Sequence, residues 1–165
     1  MQAGETKPRA SEAGAEAGRR LDAGWSCAES VLGAVVQRQG VDSEWLPAIA
    51  TGFCAGVSRR GGMCGAVSGA VMAISMVKGR RSVGDSREPT YAAVQALVDG
   101  FAREFRSINC LELVGFDLDT DEGQAEFRAR GVVKRCRGFA CRAAEMAAEI
   151  IDRASADEVR SSDTR

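Results

Sequence analysis

The 165-residue chain contains no histidine. That absence excludes a Ser-His-Asp triad, a Cys-His dyad, a His-ligated haem and any mixed Cys/His zinc site supplied by this chain alone. No Cys-x-x-Cys occurs either, so neither a zinc ribbon nor a thioredoxin-type redox motif is available. The formal net charge of −1 gives no reason to expect a nucleic-acid partner. The N-terminal stretch MQAGETKPRASEAGAEAGRR lacks the apolar h-region of a secretory signal. No segment shows the alternation of a half-buried strand. The longest uncharged run, the 17 positions from Gly61 to Val77, is near the lower limit for a membrane span. Its glycines and serines dilute it, and it reads as a buried central helix with no membrane span expected.

Six cysteines are present, more than core filling needs. Without a signal for export the expected compartment is the reducing cytoplasm, where such a set reads as metal-binding or redox-active rather than as a disulfide framework. Any one of them has a bland reading, since free cysteine packs well as a small buried hydrophobe. Their placement along the chain is more informative.

The fold class expected is all-α: a small bundle of five or six helices, with a glycine-rich turn before the central one. Residues 1–18 lack an apolar stripe and read as a flexible tail, residues 19–153 as a single helical domain, and residues 154–165 as a disordered tail. Ser26-Cys27-Ala28-Glu29 fits a capping box. The helix it opens carries Ala28, Val31, Leu32, Val35 and Val36 on one face, and Gly40 ends it. Ser43 can cap a second helix holding Trp45, Leu46, Ile49 and Phe53, with Pro47 early in it. The turn from Gly56 to Gly62 then delivers Cys64 to the start of a helix running to Val77. There the free N–H groups and the macrodipole favour a thiolate. Gly65 and Gly69, four apart, give that helix a bare face for close packing.

Pro89 suits the first turn of the next helix, on which Val94, Leu97, Val98, Phe101 and Phe105 recur at helical spacing. Asn109 is a plausible cap for a short segment beginning at Cys110. A further helix starts near Thr120, and a last one holds Cys136, Cys141, Met146, Ile150 and Ile151. The core is expected near Leu32, Val35, Val71, Ile74, Leu97, Phe101 and Met146.

Cys27, Cys64 and Cys110 thus fall at helix starts, and Cys136 lies near one. The expectation is that these four gather in one pocket near helix N-termini. A mononuclear metal would need their sulfurs within about 4 Å of one another, and a two-iron cluster somewhat further apart. Cys136 and Cys141 are off same-face helical spacing, and nothing in the spacing pairs Cys54 with Cys64. Arg59-Arg60 beside the glycines reads as a solvated basic turn, since the spacing is not that of a P-loop.

Cys64-Gly65-Ala66-Val67-Ser68-Gly69, with Cys27, Cys110 and Cys136, resembles the family of redox-active proteins named for the pattern C…CGAxxG…C…C (the C_GCAxxG_C_C family). The resemblance extends from about Leu21 to Ile151 and includes Gly52-Phe53. It implies a small bacterial, helical protein with a redox function. Similar domains occur in larger electron-transfer proteins, which brings in an iron–sulfur cluster. Cys54 and Cys141 stand outside the pattern.

Three readings follow. In the first, Cys27, Cys64, Cys110 and Cys136 hold an iron–sulfur cluster or another thiophilic metal for electron transfer to an unidentified partner protein. In the second, the chain is a thiol–disulfide oxidoreductase in which Cys64 is the nucleophile and another cysteine resolves. In the third, the cysteines are inert and the chain is a structural or interaction domain. Substrate and oligomeric state leave no trace in the sequence.

Overall fold

A computed structural model describes the backbone of residues 9–162 and the side chains of residues 9–153. Among these residues every regular element is a helix, with no β-strand. Eight α-helical segments are present: α1 (Ala10–Asp22), α2 (Cys27–Arg38), α3 (Cys54–Ser58), α4 (Gly65–Lys78), α5 (Glu88–Phe105), α6 (Cys110–Val114), α7 (Asp121–Ala129) and α8 (Val133–Ser162), with a 3₁₀ helix at Ala48–Phe53.

The central layer is made by α1, α2, α4 and α8, and α5 packs on α4 and α8. Ser26 and Glu29 form a capping box at the start of α2, where the Ser26 N–H donates to Glu29 Oε2 at 2.8 Å. Along α2, Val31, Leu32 and Val35 are fully buried, and they meet Val67 and Ile74 of α4 in one core. Burial of each such side chain stabilises the fold by about 1.5–3 kcal/mol. Gly69 lets α4 approach α2 closely: a Cβ there would stand 2.5 Å from the Ala28 carbonyl oxygen. Leu97 and Phe101 of α5 enter the same core, and Phe101, Phe105 and Phe139 of α8 form an aromatic cluster with centroids 4.6–6.1 Å apart. The Arg38 guanidinium, itself buried, ties α2 to α8 through a two-pronged ion pair with Asp152 at 2.6 and 3.0 Å.

The structure corrects several expectations. The described residues hold eight α-helical segments instead of five or six. Residues 10–18, read as part of a flexible tail, lie in α1. Its buried face is built from Ala13, Gly14, Ala17 and Gly18, which are too small to leave a hydrophobic stripe. They fit because α8 lies against them: a Cβ on Gly14 would stand 2.8 Å from the Cys141 carbonyl oxygen. At the other end α8 continues through Ser162, past the expected boundary at Arg153. The tail readings for residues 1–8 and 163–165 lie outside the described residues.

The Ser43 segment forms turns and then the 3₁₀ helix rather than an α-helix. Pro47 lacks the N–H that a continuing α-helix would need. Ser43 Oγ still accepts the Trp45 N–H. Val71 is half-buried against the core rather than inside it. Among the described residues no helix is long and apolar enough to cross a membrane.

Candidate functional site

Five elements present a cysteine at or near their N-terminal ends, among them α3, which Cys54 opens. Cys27 is the first residue of α2, Cys110 the first of α6, and Cys64 the N-cap of α4. Cys136 is in the first turn of α8. A short antiparallel bridge between Met63 and Asn109 holds two of them side by side. Across it the Cys64 N–H donates to the Ile108 carbonyl and the Cys110 N–H to the Gly62 carbonyl, both at 2.7 Å.

The segment before Cys64 is not the simple glycine-rich turn expected. In α3 the chain coils left-handed: Ala55, Gly56 and Val57 have φ of 55°, 68° and 61°, and Ser58 and Arg59 follow with 53° and 73°. Only one of the five is glycine. Each non-glycine residue held in this region costs about 1–2 kcal/mol, and such strain concentrates at functional sites. Gly56 is required for space as well as for its φ, since a Cβ there would fall 2.4 Å from Cys110 Cβ. The coil aims the Ala55 N–H at the Cys27 sulfur and carries Cys54 to the start of α2.

These elements enclose an open cavity of about 430 Å³. Cys27, Cys64, Cys110 and Cys136 all line it, and so does Cys54. Its walls are mostly apolar, with Trp25 and Phe127 among them, and Arg59 and Arg128 add positive charge. Cys110 belongs to a small satellite core with Val114 and Val132, against which Cys136 packs, while Cys64 lies in the main core and Cys54 packs on it. The cavity therefore spans the seam between two clusters. Cys141 is elsewhere on α8: its sulfur faces α1, where a Cβ on Gly18 would stand 2.9 Å from it. Among the described residues no three His, Cys, Asp or Glu side chains are placed to hold one metal ion.

The thiols differ in acidity. Burial is the main cause that raises Cys64, and the backbone N–H groups of Ala66 and Val67 offset it only in part. The thiolate expected there from the helix dipole is thus disfavoured in the metal-free chain, because desolvation outweighs the N-terminus. Cys110 is pushed up to about 11 by burial and then by the charge of Cys64. Cys136 is pushed up to about 12 by burial and by the charges of Cys64 and Cys110. Cys27 and Cys54 share a hydrogen bond that divides them. It raises Cys27, as burial also does, and it lowers Cys54 below an ordinary thiol. The Cys54 sulfur also accepts the N–H groups of Glu29 and Ala28 at the start of α2. The helix N-terminus that the sequence assigns to Cys27 therefore acts on Cys54.

Cys54 is the site residue that spacing missed. Its neighbour in space is Cys27, 27 positions earlier, and no local pattern signals a contact formed through a left-handed coil. Glu29 makes that contact reproducible: it accepts the Ser26 N–H at 2.8 Å and the Thr51 hydroxyl at 2.6 Å, tying the 3₁₀ helix to α2.

Comparison with known proteins finds no match among curated proteins and none among solved structures. A family model described as "Putative redox-active protein (C_GCAxxG_C_C)" matches residues 25–150. That description writes the motif as GCAxxG, whereas this chain reads Cys64-Gly65-Ala66-Val67-Ser68-Gly69. The matched span takes in α2 to most of α8 and every cysteine on the cavity wall, and the chain belongs to the C_GCAxxG_C_C family.

Proposed function

We propose that this chain is an electron-transfer protein in which Cys27, Cys64, Cys110 and Cys136 supply four thiolates to an iron–sulfur cluster in the cavity. One observation carries the reading: four cysteines far apart in sequence, each at or near a helix start, line a single cavity. The donor set suits the group, since iron–sulfur clusters are held by cysteine thiolates and this chain has no competing histidine. A single ion fits less well, because among the described residues no three potential ligands stand close enough to share one. A cluster tolerates a wider spread, since its inorganic sulfides complete the coordination of each iron.

When bound, the cluster would supply one-electron chemistry; the chain's residues set its surroundings. The Ala66 and Val67 N–H groups at the start of α4 face the Cys64 sulfur, and the Ala55 N–H faces Cys27. Apolar walls, including Phe127 and Phe139, limit water, and Arg59 and Arg128 offset negative charge. The high proton affinity of Cys110 and Cys136 means that loading must release protons. The exchange partner is a separate redox protein, and the setting a reducing, cytoplasmic one.

An oxidoreductase with Cys64 as nucleophile has less support, because Cys64 is 6% exposed and burial raises its thiol. A purely structural role leaves the gathering of five cysteines around an open space without a cause. Anaerobic reconstitution of the full chain with ferrous iron and sulfide, followed by visible spectroscopy and iron and sulfide analysis, tests the proposal. Stoichiometric iron with acid-labile sulfide is the expected result. A colourless protein without either rejects it.

A further inference from the structure

We propose that Cys27 and Cys54 form a reversible disulfide that withdraws Cys27 from the four-cysteine set, so that oxidation releases the cluster from the cavity. The proposal rests on the cluster reading above and adds a regulatory pair that the four-cysteine pattern does not contain.

The first observation is contact. One point, the position of a Cβ on Gly65, lies 2.3 Å from Cys27 Sγ and 3.2 Å from Cys54 Cα, so the Cys27 sulfur sits beside the Cys54 backbone. The second observation is fixation. Glu29, buried at the start of α2, accepts from Ser26 on the Cys27 side and from Thr51 on the Cys54 side. The two cysteines are therefore held by one carboxylate from both flanks. The third is access, since both line the same open cavity and each is half-buried rather than sealed. Cys54 has no place among the four proposed ligands, which leaves it free to react.

The oxidant required is a low-molecular-weight disulfide, RSSR. The Cys54 thiolate attacks one sulfur of RSSR; a Cys54–S–S–R bond forms, the R–S–S–R bond breaks, and RS⁻ leaves and takes up a proton, from Cys27 in the metal-free chain and from solvent in the loaded one, where Cys27 would carry none. The Cys27 thiolate then attacks the Cys54 sulfur, the Cys27–Cys54 bond forms, and a second RS⁻ leaves and is protonated from solvent. Two electrons pass from the cysteine pair to RSSR, which is recovered as two RSH. The oxidised Cys27 sulfur carries no charge and no longer serves as a thiolate ligand, leaving three of the four.

The test uses the full chain and its Cys54→Ser and Cys54→Ala variants, each metal-free and each loaded anaerobically with iron and sulfide. All are treated with oxidised glutathione, disulfides are mapped by peptide mass spectrometry, and retained iron is counted. The expected results are a Cys27–Cys54 link in the metal-free wild type, loss of most iron from the loaded wild type, and retention of iron by both variants. Reduction with dithiothreitol should restore iron uptake. Disulfides joining other cysteines, a Cys27–Cys54 link formed without loss of iron, or equal loss from the variants would overturn the switch and leave the cluster reading standing. Failure of the wild type to take up any iron would overturn both, and the disulfide map of the metal-free chain tells the two failures apart.

Discussion

The sulfur of Cys27 occupies the space where a side chain on Gly65 would begin: a Cβ built on Gly65 stands 2.3 Å from Cys27 Sγ. The glycine that follows Cys64 is therefore part of the site. It lets a sulfur from α2 reach the start of α4, while Gly69 one turn later lets the two backbones close up. The motif's two glycines do different work, one for the cavity and one for the core.

Gly65→Ala should displace Cys27 and cost about 1–3 kcal/mol by overpacking. Denaturant unfolding and iron content read the two effects, and both should fall. Gly138→Ala is the matched control, since a Cβ there meets nothing within 4 Å and the position is helical. It should stabilise the fold by about 0.5–1 kcal/mol and leave iron content unchanged.

The strained coil makes a prediction of opposite sign. Val57 is β-branched, 43% exposed and held at φ 61°. Val57→Gly loses little burial and relieves about 1–2 kcal/mol of left-handed strain, less the entropy glycine loses on folding. A small net rise in melting temperature is expected. A clear fall would show that this coil is not left-handed in solution.

Those two regions mark the limits of what could be read in the residues alone. The helix carrying Leu97 and Phe101 announces itself by large apolar residues at helical spacing, and α2 by its capping box. The four pattern cysteines were legible as a set because each follows or accompanies a helix-start signal. By contrast α1 buries alanine and glycine, whose hydrophobic signature is faint, and its helical packing depends on the close approach of α8 at Cys141. The left-handed α3 has only Gly56 to signal it. The place of Cys54 depends on that coil and on the Glu29–Thr51 contact, neither of which leaves a spacing pattern. The raised Cys64 thiol was hidden for another reason: the helix-start argument names a favourable term, and only the fold shows how much burial opposes it.

Thiol reactivity in the reduced, metal-free chain should follow the structure. Cys54, half-buried and with a lowered pKa, should be alkylated first near neutral pH. Cys64, buried and with a raised pKa, should react far more slowly. Time-resolved alkylation with peptide mapping across a pH series reads both. The reverse order would contradict the geometry around the start of α2.

Alkaline pH should weaken the metal-free fold. Cys110 and Cys136 hold their protons to about 11 and about 12 when folded, against about 8.5 in an unfolded chain. Between these values the folded state binds more protons than the unfolded one, so stability is fully present below about pH 8.5 and declines as pH rises toward 11 and 12. Melting curves should show this decline, and Cys136→Ser should show a shallower one. Loading with iron removes those protons, so uptake should strengthen with pH over the same window.

The account's central claim is that four particular cysteines act together. Its most direct test is the iron and sulfide content of six single Cys→Ser variants after identical anaerobic reconstitution. The account predicts that substitution at Cys27, Cys64, Cys110 or Cys136 removes most of both, whereas Cys54→Ser and Cys141→Ser retain the wild-type content. Full retention after substitution of any of the four, or loss on changing Cys141, whose sulfur faces α1, would contradict it.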